Sequence, residues 1–320
     1  MTASIKEGLR SAVRHQKLTW LIWAWYGLLA LIPAFPAWNW WNAVLGASPE
    51  AASALKRFDI GVFLDLTRSQ GVGGLGLLSA AAMAAATVAI VSSAFVFGGV
   101  LEVFGSEDDQ RPFMHRFYRG GGHFFWRFFR LALTAGVCTV LAVGIVAGPV
   151  ARSLAHFANT EWEPAGYLFG LVVALTVALI AGLFLLALDY ARIRVARDDS
   201  RRMLKAYFGG LRFVLRHLFA AYGIAIAIAV ALAVLMAVYV AYETKAPAAG
   251  SWGAIGLLFL LQQAVVLGRV FLRVTLVGAE RHFHVKALPK PVPVLATEFV
   301  TTAAPLPPAS ADPDQPQLPA

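Results

Sequence analysis

Tyr118-Arg-Gly-Gly-Gly-His-Phe-Phe-Trp-Arg127 returns as Tyr207-Phe-Gly-Gly-Leu-Arg-Phe-Val-Leu-Arg216, a shared Y-x-G-G-x-x-F-x-x-R frame spaced by 89 residues. Each copy runs straight into a long apolar stretch, so the pair marks a duplicated membrane unit whose copies lie parallel. Outward from these segments, six runs are long enough to cross a hydrocarbon core of about 30 Å, which takes roughly 20 helical residues. They lie near 18–37, 75–103, 130–150, 164–189, 218–242 and 253–278. They are continuously apolar, whereas barrel strands alternate with period 2 over about 10 residues. A helix satisfies its own backbone groups in lipid, so the expected fold is all-α: a polytopic protein of six transmembrane helices, with repeat units at about 75–150 and 164–242.

Composition points the same way. Of the 320 residues, 59% are hydrophobic and 14% charged, and the mean hydropathy is +0.67, too apolar for a water-soluble domain. Of the 27 Lys and Arg residues, only Lys56, Arg57, Arg68, Arg152 and Lys245 fall on one side of the spans; the rest gather towards the other. By the positive-inside rule both termini are cytoplasmic. The net charge of +9 therefore reports topology, and no nucleic-acid surface is expected. Cys138 is the only cysteine, which excludes an intrachain disulfide and a cysteine metal cluster. The first apolar run reads as a retained helix and not a cleaved leader. Pro33 and Pro36 near its end, then bulky Trp38, Trp40 and Trp41, stand where small residues flank a cleavage site. The chain thus divides into a basic N-terminus (1–17), a six-helix membrane domain (18–285) and a Pro-rich disordered cytoplasmic tail (286–320).

Both repeat segments predict a cytoplasmic amphipathic helix lying in the headgroup plane. Met203, Leu204, Tyr207, Phe208 and Leu211 form one apolar stripe, matched by Met114, Phe117, Tyr118 and Gly121. Arg201, Arg202, Lys205 and Arg212 take the other faces and are the candidate lipid-headgroup contacts, each basic residue adding about 1 kcal/mol on an anionic leaflet. Gly120-Gly121 and Gly209-Gly210 are expected where the chain turns from lying flat to spanning. Glu107-Asp108-Asp109 and Asp198-Asp199 precede these helices, where acids favour an N-terminus. Small residues at 80–86, Gly98-Gly99, Gly144 and Gly148 predict close helix packing. In the first outer loop, Ser48-Pro49-Glu50 reads as the start of a short helix. Gly71-x-Gly73-x-x-Gly76 has dinucleotide-binding spacing but no βαβ context, so a hinge into the second span is the better reading.

Candidate chemistry rests on a few polar residues at membrane depth. Glu102, Asp189, Arg269 and Arg273 sit near the inner ends of spans two, four and six, where they can form an ion-pair cluster; such groups are costly in lipid and often functional. Gln262 and Gln263 fall near the middle of the sixth span and call for a partner such as Ser92 or Ser93. The seven histidines show no metal spacing, and no G-x-S-x-G, P-loop or H-E-x-x-H is present, so no metal, cofactor or enzymatic activity is expected.

The span layout, with Gly-Gly-x-x-Phe-x-x-Arg segments leading into spans three and five, resembles a broad class of bacterial multi-pass proteins akin to the six-helix membrane domain attached to some glycerophosphodiester phosphodiesterases. The resemblance covers about 15–285 and lacks the soluble enzyme domain, so it transfers no catalytic residue. It implies a bacterial inner-membrane protein. The function expected first is a non-enzymatic envelope organising or accessory protein, and the alternative is a transporter or lipid-handling protein using the charges at the inner ends of helices two, four and six. Expected partners are anionic membrane lipids, together with a membrane-protein partner or a second copy of the chain.

Overall fold

The computed structural model describes residues 1–45, 72–105, 110–157, 163–243 and 252–288. The chain divides into two compact units, Met1–His284 and Val285–Ala320; the architecture below is that of the first. The expected tail beyond residue 288, Ser48-Pro49-Glu50 and Glu107-Asp108-Asp109 lie outside the described residues.

The described residues form eight helices and no strand. They are α1 (Thr2–Arg14), α2 (Gln16–Leu45), α3 (Val72–Gly105), α4 (Phe113–Phe157), α5 (Glu163–Asp198), α6 (Met203–Arg216), α7 (Leu218–Glu243) and α8 (Trp252–Ala287). Six of them, α2, α3, α4, α5, α7 and α8, are long and apolar enough to cross a membrane, the architecture of a multi-pass membrane protein. At 1.5 Å per residue the 45-residue α4 is about 68 Å long, well over a 30 Å hydrocarbon core. Helix α4 is therefore longer than a hydrocarbon core is thick, and the buried residues gather in a packed core at one end of the long helices.

That core occupies the C-terminal parts of α3, α5 and α8 and the helices packed on them. Buried residues run from Ala94 to Phe104 in α3, from Leu186 to Val195 in α5, and from Val270 to His284 in α8, while the preceding turns are largely exposed. The small residues at 80–86 belong to those exposed turns, and a methyl added at Gly144 or Gly148 would meet nothing within 4 Å. Of these expected positions, Gly98 and Gly99 on α3 are the ones that pack closely.

The glycine pairs of the repeated segment also act differently from the expected bend. Helix α4 runs unbroken through Gly120-Gly121, and Gly209-Gly210 lie inside α6, seven residues before the chain turns at His217. A methyl on Gly210 would stand 2.6 Å from the Ala187 carbonyl oxygen and 2.9 Å from the Ala191 nitrogen. Gly120 and Gly210 let one backbone lie against another, while Gly121 and Gly209 make room for the side chains of Phe95 and Arg194.

Candidate functional site

Three glycines meet the three core helices in the same way. A methyl on Gly120 would strike the Gly98 carbonyl oxygen and the Glu102 side chain, one on Gly210 the Ala187 oxygen and Ala191, and one on Gly8 the Thr275 oxygen and Ala279. Each glycine thus rests on residues i and i+4 of a core helix: 98 and 102 on α3, 187 and 191 on α5, 275 and 279 on α8. The neighbouring positions then turn into the core in matched sets. Val100, Asp189 and Val277 are 4%, 5% and 3% exposed, and Val103, Arg192 and Glu280 are 0%, 5% and 0% exposed. On α3 both inward positions are valine, so a short apolar side chain is enough to close this layer. The charges on α5 and α8 are additions to it.

Those additions form a buried ionic cluster. The Arg273 Nη2 donates to Asp189 Oδ2 at 2.9 Å, and Arg192 Nη1 donates to Asp189 Oδ1 at 3.3 Å. The Arg192 guanidinium lies 4.8 Å from the Phe97 ring centroid on α3, a cation–π contact in a desolvated setting. Glu280 is wholly buried and interacts by charge with Arg192 and Arg273, yet neither carboxylate oxygen accepts a hydrogen bond among the described residues. The Tyr190 hydroxyl and His284 Nδ1, also buried here, likewise lack a bonded partner among the described residues.

The expected cluster is therefore realised in part. Asp189 and Arg273 meet, whereas Glu102 is drawn to Arg119 at 3.7 Å on the adjoining α4. Arg269 makes no ion pair among the described residues and lines a cavity. Ser92 accepts the Trp25 Nε1–H at 3.1 Å and Ser93 bonds its own helix at Ile90, so neither serves Gln262 or Gln263. Arg192 and Glu280 complete the cluster without having stood out in the sequence. Arg192 blends into a run of basic residues ending a span, and Glu280 follows Arg273 by seven residues, a helical same-face spacing that is the one sequence signal for it.

The cavity has a volume of about 610 Å³ and opens between α2, α7 and α8. Tyr26 contributes from α2, Ala225, Ile228, Ala229 and Leu232 from α7, and Arg269 and Arg273 from α8, one turn apart. Ala225 lies seven residues into α7 and Leu232 fourteen, which places the cavity about 10–20 Å along that helix from its start. Arg273 joins the two features: it faces the cavity with its side chain 49% exposed and holds Asp189 with its guanidinium.

The surface at the same end is basic. Arg201, Arg202, Lys205 and Arg212 are all exposed. The predicted stripe of α6 separates into two faces: Tyr207 packs against Leu131, Ala135, Ala187, Leu188 and Ala191, while Leu204 and Phe208 stay exposed. Burial pushes the Tyr207 phenol well above its ordinary range. Asp198 pairs within its own helix with Arg194 at 3.5 Å, and α6 starts at Arg202 without a side-chain cap. Asp199, in the α5–α6 turn with φ 44°, reaches Arg127 and His123 of α4. Its hydrogen bonds from Arg127 and then His123 hold its carboxyl below the usual carboxylate range. No family model, curated protein or solved structure matches this chain.

Proposed function

We propose that this chain is a non-enzymatic membrane protein that binds and handles a membrane amphiphile in the cavity between α2, α7 and α8. One observation carries this reading: Arg269 opens into an apolar cavity, on a helix long and apolar enough to span, with no ion pair among the described residues. A cation placed at membrane depth without a partner is costly, and such residues mark binding or permeation sites. A purely organising or accessory role has no use for it, so the lipid-handling alternative is favoured. The test is native mass spectrometry of the detergent-released protein and of Ala229→Trp, which fills the cavity wall. The parent should retain an amphiphile that the variant loses; equal retention by both would refute the reading.

The same proposal covers architecture and topology. The parallel repeat is supported by the contacted positions of the core helices, 98 and 102 against 187 and 191, which keep the 89-residue spacing although the glycine resting on them shifts by one within its pair (Gly120 and Gly210). The same contact at Gly8 extends it to a third unit formed by the two ends of the membrane domain, α8 with α1 and α2. Gly8-Leu-Arg-x-x-x-Arg-His15 parallels Gly210-Leu-Arg-x-x-x-Arg-His217, and both helices end at the histidine with similar backbone angles, φ −110° and ψ 45° against φ −120° and ψ 36°. Helix α6 and the first turns of α4 act as interfacial helices, with Leu204, Phe208, Met114 and Tyr118 offered to lipid and Arg201, Arg202, Lys205 and Arg212 to acidic headgroups. The basic residues at this end support a cytoplasmic location for both termini, in a bacterial inner membrane.

A further inference from the structure

We propose that the amphiphile is an acidic phospholipid, its phosphate seated on Arg269 and Arg273 and its acyl chains between α2, α7 and α8. This rests on the amphiphile-handling reading above and adds headgroup charge and seating to it.

The argument is a charge count over every element that lines the cavity or backs it. Helix α7 offers only apolar side chains, Ala225, Ile228, Ala229 and Leu232, and α2 offers the neutral phenol Tyr26. Helix α8 brings Arg269, Arg273 and, behind them, Glu280; α5 brings Asp189 and Arg192. Asp189 is the one carboxylate bonded to Arg192 and Arg273, and Arg269 has no ion pair among the described residues, so the arginines at the cavity are in excess and an anionic headgroup offsets them. A zwitterion would bring its own cation to the arginines.

Geometry agrees with a headgroup bound by two arginines. Arg269 and Arg273 are four residues apart and share one helix face. Arg273 commits Nη2 to Asp189 and keeps half of its side chain exposed, so it can hold an anion while still tied to the core. Guanidinium groups match phosphate oxygens in a forked geometry, and the Tyr26 phenol on the facing wall is a further donor. The bilayer itself supplies the ligand, because the cavity walls belong to spanning helices.

The test uses the full-length protein in nanodiscs of zwitterionic phospholipid, into which a phosphatidylglycerol, a phosphatidic acid or a fatty acid is titrated while native mass spectrometry follows retention. Parallel arms use Arg269→Gln, Arg269→Lys and the surface control Lys6→Gln, an exposed residue of α1. One acidic phospholipid, phosphatidylglycerol or phosphatidic acid, should stay bound per protein, in preference to the fatty acid and the zwitterion and at 0.5 M salt, where binding to the exposed basic surface is screened. Arg269→Gln should weaken retention by about 10- to 100-fold, the loss of one charge-assisted hydrogen bond, whereas Arg269→Lys and Lys6→Gln should keep most of it. Preference for the fatty acid or the zwitterion, or equal binding by Arg269→Gln in a protein of unchanged unfolding midpoint, would overturn this inference while leaving an amphiphile site standing. If no amphiphile of any charge is retained, the underlying reading falls with it.

Discussion

Replacing Asp189 by valine, the residue at the matching position of α3, should unbalance the core. Asp189 is 5% exposed and accepts from both Arg192 and Arg273. Arg273 keeps half of its side chain exposed to the cavity and has Glu280 as a second acidic neighbour, so it depends less on Asp189. The cost therefore resides in Arg192, whose side chain is 6% exposed and stacked on Phe97, and which loses its one bonded carboxylate. Breaking a buried pair from one side costs about 3–5 kcal/mol, two to nearly four orders of magnitude in the folding equilibrium. The double variant Asp189→Val/Arg192→Val rebuilds on α5 the valine pair of Val100 and Val103, leaves Arg273 to face Glu280, and should return to within about 1 kcal/mol of the parent. Unfolding in mixed micelles of a mild detergent and SDS, followed by tryptophan fluorescence, measures all three proteins. If the single variant stays within about 1 kcal/mol of the parent, or the double is no more stable than the single, the reasoning from matched positions is refuted.

Other outcomes follow from the same coordinates. Gly210→Ala, whose methyl would press on the Ala187 oxygen at 2.6 Å, should lose about 1–3 kcal/mol, whereas Gly122→Ala, with nothing within 4 Å, should be neutral or gain about 0.4–1 kcal/mol; the same unfolding assay separates them. Asp199→Asn keeps a side chain tolerant of the left-handed backbone and removes the charge. Because the folded carboxyl titrates below its ordinary value of 3.8, its contribution is complete above that value and fades as pH falls through the lower folded one. The stability gap between parent and Asp199→Asn should thus be constant from pH 7 to about 5 and close in acid; a gap that widens in acid contradicts the assignment. Tyr207→Phe removes a buried hydroxyl with no bonded partner among the described residues and should hold or raise the midpoint, so a loss above about 1 kcal/mol would reveal an unrecognised partner for that oxygen.

Much of the architecture was legible before any coordinates. The six spans follow from runs of apolar residues, and the basic end from where Lys and Arg stand between them. The Y-x-G-G frame was equally visible, but its glycines read as a bend because glycine is both flexible and small, and sequence does not say which property is used. Only contact with Gly98, Ala187 and Thr275 shows that smallness is the property at work. The similar contact at Gly8 was hidden because only one glycine and Arg14 of the frame are present there, and because its partner helix α8 lies at the other end of the chain. The ionic cluster shows the same division. Asp189, Arg269 and Arg273 stand out as charges in apolar surroundings, while Glu280 and Arg192 look like ordinary residues at the end of a span.

Hydropathy and charge excess are local sums along the chain, so the sequence by itself determined that six helices are long and apolar enough to cross a bilayer, and where between them the basic residues stand. Which carboxylate meets which arginine depends on the rotation and axial register of one helix against another. Those are set where glycine lets two backbones touch, far apart in sequence. The tertiary structure alone therefore decided that Asp189 accepts from both Arg192 and Arg273, that Glu102 turns away to Arg119, and that Arg269 is left facing an open cavity.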